Sequence, residues 1–329
     1  MRFHNLRREG ENMTIKYGII STATIVPRFV AGIVECADAE VWAIAAREQK
    51  KAQKMADALK IPHVYASYAE LFLDEEIDVV YIATYNRAHY AVAKEALLAG
   101  KSVLLEKPFT LTLDEAEDLF ALAQAQGVFL MEAQKALFYP LTQTIKTLIA
   151  DGEIGEVKYL DCRMMHTNAD HIPWFKDLAS GGGALYGSGS YPIEYFQYVT
   201  EGKIEEVAGT AMFSPDESDS QCDVSILFKE GFQGHLLIST LFEGPSELTI
   251  YGTKGRIHLP DFWKKQTATI IRDQSVEEIT FAHQSEFVFE IAHVNQCLQE
   301  GLQTSPIATP DRTMQCVELV EKMYQQWLS

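Results

Sequence analysis

The sequence predicts an α/β protein in two parts: a doubly wound parallel sheet, then an α+β domain on a largely antiparallel, open sheet. Three observations predict it. From Ile15 to Met131 short apolar runs alternate with helical patterns, as in βαβ units. Several of those runs are continuously apolar, as strands covered on both faces are. After Tyr139–Pro140 the texture changes to successive strands joined by hairpin signals.

The first run, Ile15–Ile20, stops at a small-residue turn, and a helical pattern begins behind it. Further apolar runs follow at residues 41–45, 79–83, 103–105 and 128–131, with helical stretches at 48–59, 89–99 and 113–126 between them. "LLAGKSVLLEKP" shows one join: Gly100 closes a helix and a short buried strand follows. Beyond Pro140 a helix over 141–150 leads through "DGEIGEV" into a strand over 157–165. Strands with partial period-2 alternation fill 204–280, for example "QCDVSILF" and "GHLLIST", and helical patterns at 285–300 and 311–327 close the chain. The domains are expected at 13–136 for dinucleotide binding and 137–329 for substrate binding and oligomerisation, with 1–12 a disordered extension.

Composition narrows the function classes. The chain has 329 residues, 47% hydrophobic and 22% charged, in the range of ordinary globular proteins. A formal net charge of −18 repels phosphate backbones, so no nucleic-acid partner is expected. No run approaches the roughly 18 apolar residues of a membrane span, and the basic N-terminus has no apolar segment behind it, so neither a membrane nor a signal peptide is expected. Five scattered cysteines without a C-x-x-C suit a reducing cytoplasm and argue against a zinc site. His166, Asp170 and His171, spaced along a Pro-containing loop, are read as structural or substrate-contacting, and no metal is expected.

The stretch "YGIISTATIVPRF" raises the functional question. Ser21, Ala23 and Val26 stand where G-x-G-x-x-G would place glycines, which permit tight turning and close approach to a pyrophosphate at a helix N-terminus. Ser21 and Ala23 are the next smallest choices, Ser21 adds a hydroxyl donor, and Pro27 is tolerable in a first helical turn. This stretch alone leaves a cofactor site and a plain strand-turn-helix equally open. The tip of the second strand carries Arg47 in place of an acid; an arginine there either pairs with a 2′-phosphate, favouring NADP(H) over NAD(H), or merely starts a solvated helix.

"LLEKPFTLTLDEAEDLFALAQAQGVFLMEA", residues 104–133, resembles the Gfo/Idh/MocA oxidoreductases, relatives of glucose–fructose oxidoreductase and inositol dehydrogenase. Within them it most resembles the dihydrodiol dehydrogenase-like and sugar dehydrogenase branch. "YIATYNRAHY" resembles the family's fourth-strand loop, "GGGALYGSGSYPIEYF" its G-G-G-A-L-x-D-x-G-x-Y/H-x-I segment, and "YGTKGRIHL" a turn between two late strands. The resemblance covers nearly the whole chain after residue 13. It implies a Rossmann domain, dimers or tetramers formed through the open sheet of the second domain, and hydride transfer at a nicotinamide between the domains.

It further implies Lys107 of Glu106-Lys107-Pro108 beside the nicotinamide and the reacting hydroxyl, and Tyr191 at the family's catalytic tyrosine-or-histidine position. Cofactor contacts are expected from Ser21, Thr22, Ala23, Thr24, Ile25, Arg47, Thr84, Asn86, His89, Glu106 and Lys107. Substrate contacts are expected from Tyr85, Lys107 and Tyr191, and from His171 and Trp174 in the loop "HTNADHIPWF". The residue types suit the chemistry. Oxidising a secondary alcohol requires removing its hydroxyl proton as hydride leaves, and a nearby lysine can lower a tyrosine's pKa for that task. Burial can likewise depress the lysine's own pKa.

Two departures stand out. The family's Asp falls on Gly187, and Lys135-Ala136-Leu137 replaces a common W-T-R; Lys135 is expected to be a solvated helix lysine. The expected function is NADP(H)-dependent hydride transfer at a secondary alcohol or carbonyl of a sugar, polyol or cyclic diol. The alternatives are a catalytically idle ligand-binding relative and a cofactor-retaining non-redox enzyme. With glycines missing, cofactor binding is expected to be weaker than an intact motif gives, and Ala23→Gly to tighten it.

Overall fold

The structure, a computed structural model, describes residues 14–167, 172–214, 217–282 and 285–329; the expected extension over 1–12 lies outside them. Six strands come first: β1 (Ile15–Ile20), β2 (Ala39–Ala45), β3 (His63–Tyr65), β4 (Val79–Ile82), β5 (Ser102–Glu106) and β6 (Leu130–Ala133). The helices α1 (Val26–Glu35), α2 (Gln49–Leu59), α3 (Tyr68–Leu73), α4 (His89–Leu98) and α5 (Leu113–Gln126) connect them. All pairs are parallel, in the order β3-β2-β1-β4-β5-β6. The winding reverses between β1 and β4, where an open parallel sheet forms its ligand crevice.

The apolar runs explain the sheet. All four residues of β4 and all four of β6 are buried, so helices cover both faces. β3 and α3 escape the sequence reading because a three-residue edge strand and a six-residue helix are too short to show a period. The helix leading away from the Lys107 segment is well defined: Thr112 accepts the Glu115 N–H at the start of α5, and Gly127 closes it with φ of +70°.

The second part contains α6 (Pro140–Ala150), β7 (Val157–Met165), α7 (Ala184–Ser188), α8 (Ser190–Thr200) and the strands β8 (Ile204–Phe213), β9 (Asp219–Phe228), β10 (Gln233–Ser239), β11 (Ser246–Gly252), β12 (Gly255–Pro260), β13 (Thr267–Arg272) and β14 (Ser275–Thr280). The sheet order is β14-β13-β12-β11-β7-β10-β9-β8, antiparallel except for the β7–β10 pair. Alternating burial along β8 and β9 shows one face packed and one open. The last helices, α9 (Val288–Gln299) and α10 (Pro310–Trp327), return to the first part, α9 against α1 and α10 against α5. Asn295 of α9 accepts the Tyr17 hydroxyl at 2.8 Å beneath β1. The core on one face of the parallel sheet is continuous with the core under the larger sheet. Among the described residues no helix is long and apolar enough to cross a membrane. The five cysteines are free and buried.

Candidate active site

The site forms where the C-terminal ends of β1, β2, β4 and β5 meet α8. Ser21 follows β1 with φ of +127°, a region where glycine is at ease and a side chain is strained. Its N–H donates to Ala45 O, which ties the turn to the end of β2. Its hydroxyl oxygen accepts the Ala23 N–H at 3.0 Å, so Ser21 serves here as an acceptor. Val26, where a small residue was the pattern, is fully buried and packs in the core instead. α1 has Pro27 in its first turn and no side-chain cap; the Val26 N–H donates to Ala23 O, and the Arg28 and Phe29 N–H groups donate to Ile25 O. Ser21, Thr22, Ala23 and Ile25 are partly buried along this turn, and Thr24 is exposed.

Arg47 lies two residues beyond the end of β2, which pairs with β1 at Ala45 and Ile20. Its guanidinium is exposed, sits 5.5 Å from the centre of the Tyr85 ring, and forms no ion pair among the described residues. Thr84 and Tyr85 leave β4 half-buried, and the Thr84 hydroxyl oxygen is buried with no hydrogen-bond partner among the described residues. Asn86 and His89 are buried deeper. The Asn86 amide donates to Gly181 O at 2.8 Å, and the two His89 ring nitrogens face Pro108 O at 2.8 Å and Thr84 O at 3.2 Å. Burial pushes the His89 pKa down to about 4, so the ring is neutral. The Asn86 amide nitrogen and the single N–H of the neutral His89 ring are thus each spent on a backbone carbonyl, and the two residues hold the loops that carry Lys107 and the Gly181–Gly183 turn.

Lys107 follows Glu106 at the end of β5 and precedes a cis Pro108. The Glu106 carboxylate accepts the Tyr81 hydroxyl at 2.6 Å and the Lys107 N–H at 3.2 Å. The Lys107 Nζ donates to Gly187 O at 2.9 Å and lies 4.9 Å from the centre of the Tyr191 ring. Burial holds its ammonium below the ordinary lysine value; Glu106 and Glu132 oppose that shift and Arg28 adds to it. A Cβ on Gly187 would meet the Phe175 ring at 2.9 Å. The missing Asp therefore has a local reason: Phe175 fills its space, and the Gly187 carbonyl orients Lys107.

Tyr191 stands in the first turn of α8. Its phenol is pushed well up, by burial first and then by Glu106, Tyr139, Glu286 and Glu290. The sequence reading expected a lysine to lower it, and that expectation is corrected: the surrounding carboxylates and burial outweigh the cation. Lys135 is a second correction. It is not a solvated helix lysine but a buried one, 4% exposed, in a short 3-10 turn over Lys135–Phe138. It pairs with Glu286, which also pairs with Arg28 of α1. Its Nζ lies 5.9 Å from the Tyr191 ring centre and 4.9 Å from that of Phe287, and burial brings its pKa down to about 8. Glu286 is held below the ordinary carboxylate value because Lys135 and Arg28 outweigh its burial.

The sequence reading missed Arg28, Glu286 and Glu290. Glu290 is fully buried and neither carboxyl oxygen has a hydrogen-bond partner among the described residues. No local spacing marks these residues, since they come from α1 and from the start of α9, some 250 positions apart. Trp174 is half-buried in the turn that runs into Gly181–Gly183, and His171 lies outside the described residues. Among the described residues no group of three metal-ligating side chains is assembled.

Comparison with known proteins fits this geometry. Residues 15–134 match the family model described as "Oxidoreductase family, NAD-binding Rossmann fold", and residues 142–258 match the GFO/IDH/MocA C-terminal domain. A trans-1,2-dihydrobenzene-1,2-diol dehydrogenase of Xenopus laevis is 33% identical over 306 residues, covering 90% of this chain and 92% of that protein. The crystal structure of aldose-aldose oxidoreductase from Caulobacter crescentus, complexed with glycerol, superposes with a TM-score of 0.87 at 21% identity, over 95% of this chain and 97% of that one. A 3-ketoreductase from Actinomadura kijaniata, in complex with NADP and TDP-benzene, superposes with a TM-score of 0.84 at 22% identity over the same shares. At those identities the two structures speak to the fold.

Proposed function

The chain belongs to the Gfo/Idh/MocA oxidoreductase family, and from that premise we propose that it transfers hydride between NADP(H) and a secondary alcohol or carbonyl of a cyclic diol, sugar or polyol. The observation that carries the reading is the Lys107 ammonium, fixed by the Gly187 carbonyl against the Tyr191 ring at the crevice end of the parallel sheet. The turn suits a dinucleotide. Ser21 takes the backbone conformation of the missing glycine, the Thr84 hydroxyl is buried without a partner among the described residues, and Arg47 stands over the Tyr85 ring with no ion pair among the described residues. Ser21–Ile25 would hold the pyrophosphate and Arg47 a ribose 2′-phosphate, which favours NADP(H) over NAD(H).

The bound nicotinamide supplies or accepts the hydride. The protein's part is proton handling at the substrate oxygen. Tyr191 stays protonated at neutral pH because burial and three carboxylates disfavour its anion, so it donates a hydrogen bond to that oxygen. Lys107 gives up a proton more readily than an ordinary lysine, which lets it exchange the hydroxyl proton in either direction. The Gly187 carbonyl fixes one ammonium hydrogen and leaves the others for substrate. Tyr85 and Trp174 offer aromatic surface to the apolar side of a ring substrate.

The open face of the larger sheet supports association of two or four copies, and the five free cysteines support a reducing, cytoplasmic setting. Titration of NADPH by its fluorescence tests the cofactor reading, and turnover of diol and sugar substrates with Lys107→Ala as control tests the chemistry. Absence of binding by either nicotinamide cofactor at millimolar concentration, or undiminished turnover in Lys107→Ala, would overturn it. A monomer by light scattering would overturn the association.

A further inference from the structure

The proposed chemistry leaves Lys135 without a task, yet separate segments of the chain meet around it. It sits in the 3-10 turn after β6 with its side chain buried, and its Nζ pairs with Glu286 Oε2, just ahead of α9. The other oxygen of that carboxylate accepts from Arg28 of α1, whose Nε lies 2.7 Å away. The Phe287 ring adjoins both cations, its centre 4.9 Å from Lys135 Nζ and 5.8 Å from the Arg28 guanidinium carbon.

The segment that carries Glu286 is itself fixed against α1. The Ser285 N–H donates to the Glu35 carboxylate at 3.2 Å, and the Phe29 and Phe287 rings meet edge to face with centres 5.7 Å apart. Gly32 of α1 lies so close that a Cβ there would come within 2.8 Å of the Phe287 Cβ. The counter-ion of Lys135 is therefore set by the packing of a helix.

A buried ion pair is a poor device for stability, because apolar side chains of similar volume fill the same space without the cost of desolvating two charges. The Lys135 ammonium lies instead where its charge has an object. Its Nζ is 5.9 Å from the centre of the Tyr191 ring, and Lys107 Nζ is 4.9 Å from the same centre. Two ammonium groups thus stand within cation–π reach of one tyrosine, in a desolvated setting where that attraction is strongest. The two lysines differ in their anchors: Lys107 is held by a carbonyl and Lys135 by a carboxylate.

We propose that Lys135 is a positioning residue for Tyr191: with Lys107 it holds the ring by cation–π attraction, and Glu286, fixed against α1, keeps the Lys135 charge in place. Lys135 acts only through the ring. The setting of Tyr191 is thereby tied to the helix that follows the cofactor turn.

The inference rests on Tyr191 donating to the reacting oxygen, and the experiment keeps the two apart. Lys135→Met keeps most of the aliphatic stem and removes the charge. Glu286→Gln leaves Lys135 in place without its carboxylate, and a buried ammonium so stripped favours its neutral form. Each is expected to lose about tenfold or more in kcat, with KM for NADPH little changed, as loss of a desolvated cation–π contact to a reacting group does. Turnover is read with the diol or sugar that the wild type converts fastest. Both variants are also made in Tyr191→Phe, which keeps the ring and lacks the hydroxyl. There the further loss in kcat is expected to vanish, whereas a general effect on folding would persist.

Fluorine NMR of fluorotyrosine-labelled protein needs no turnover. The Tyr191 resonance, identified by its absence in Tyr191→Phe, is expected to shift in Lys135→Met and in Glu286→Gln. The positioning role is overturned if both variants keep the wild-type kcat, if their loss is equal in the Tyr191→Phe background, or if the resonance stays in place. Undiminished turnover in Tyr191→Phe would instead overturn the catalytic reading and leave the fluorine test of the Lys135 contact standing.

Discussion

Ser21→Gly separates what the turn costs the fold from what it costs the cofactor. Ser21 holds φ of +127°, a conformation that costs a side-chain-bearing residue on the order of 1–3 kcal/mol. Its hydroxyl offsets part of this through the 3.0 Å bond from Ala23 N–H, a neutral hydrogen bond worth about 0.5–1.5 kcal/mol. Glycine removes the strain and the bond together, and its greater freedom in the unfolded chain costs about 0.4–1 kcal/mol. These contributions nearly cancel, so the melting temperature should move by no more than about 2–4 °C.

Binding should move more. The Ala23 N–H is released toward the crevice, where a bond to a charged phosphate is worth about 1.5–3 kcal/mol against the neutral bond it replaces. The difference of about 1 kcal/mol is a roughly fivefold tighter Kd for NADPH. The assay is fluorescence titration of wild type, Ser21→Gly and Ser21→Ala, each also melted. Ser21→Ala frees the same N–H but keeps the strain, so it should gain affinity and lose about 1 kcal/mol of stability. An unchanged or weaker Kd in Ser21→Gly would refute the reasoning. Ala23 lies outside the positive-φ region, so Ala23→Gly relieves no backbone strain; the conformational demand for glycine falls at position 21.

Other outcomes follow from the same geometry. Arg47→Ala should weaken NADPH binding about tenfold or more while leaving NADH nearly unchanged, as loss of one charge-assisted contact does; equal weakening of both would exclude a 2′-phosphate role. Gly187→Ala drives a Cβ to 2.9 Å from the Phe175 ring, an overpacking that should cost about 1–3 kcal/mol in urea unfolding; an unchanged midpoint would show that Phe175 yields freely. His89 titrates near 4 in the fold against 6.5 for a free histidine. Between those values the unfolded chain binds a proton that the folded chain does not, so stability falls on acidification, by on the order of 3 kcal/mol across the window. His89→Gln should flatten that slope, and the same slope in both proteins would refute the assignment.

Much of the fold is legible in the residues themselves. The runs at 15–20 and 79–83 lie close to β1 and β4, and "VKYLDCRMM" coincides with β7, because a strand covered on two faces or one leaves its burial written locally. β3 shows the limit of that signal, since three edge residues carry no period. The "EKP" segment and "GSGSYPIEYF" pointed to Lys107 and Tyr191, and the fold brings the two together. Gly187 looked like a lost polar group, and only packing shows that Phe175 takes its space while its carbonyl takes the lysine.

The sequence by itself determined the alternation of strands and helices, the parallel sheet with its crevice, the glycine-poor turn and the family. Local period and turn chemistry suffice for these, because each is decided by residues a few positions apart. Tertiary structure alone decided the electrostatics of the site. Lys135 is buried because Glu286 arrives from 151 positions away, and Tyr191 is a poor base because carboxylates converge on it from β5 and from the start of α9. A charge's behaviour depends on everything packed within a few ångströms of it, and in this chain those neighbours come from opposite ends of the sequence.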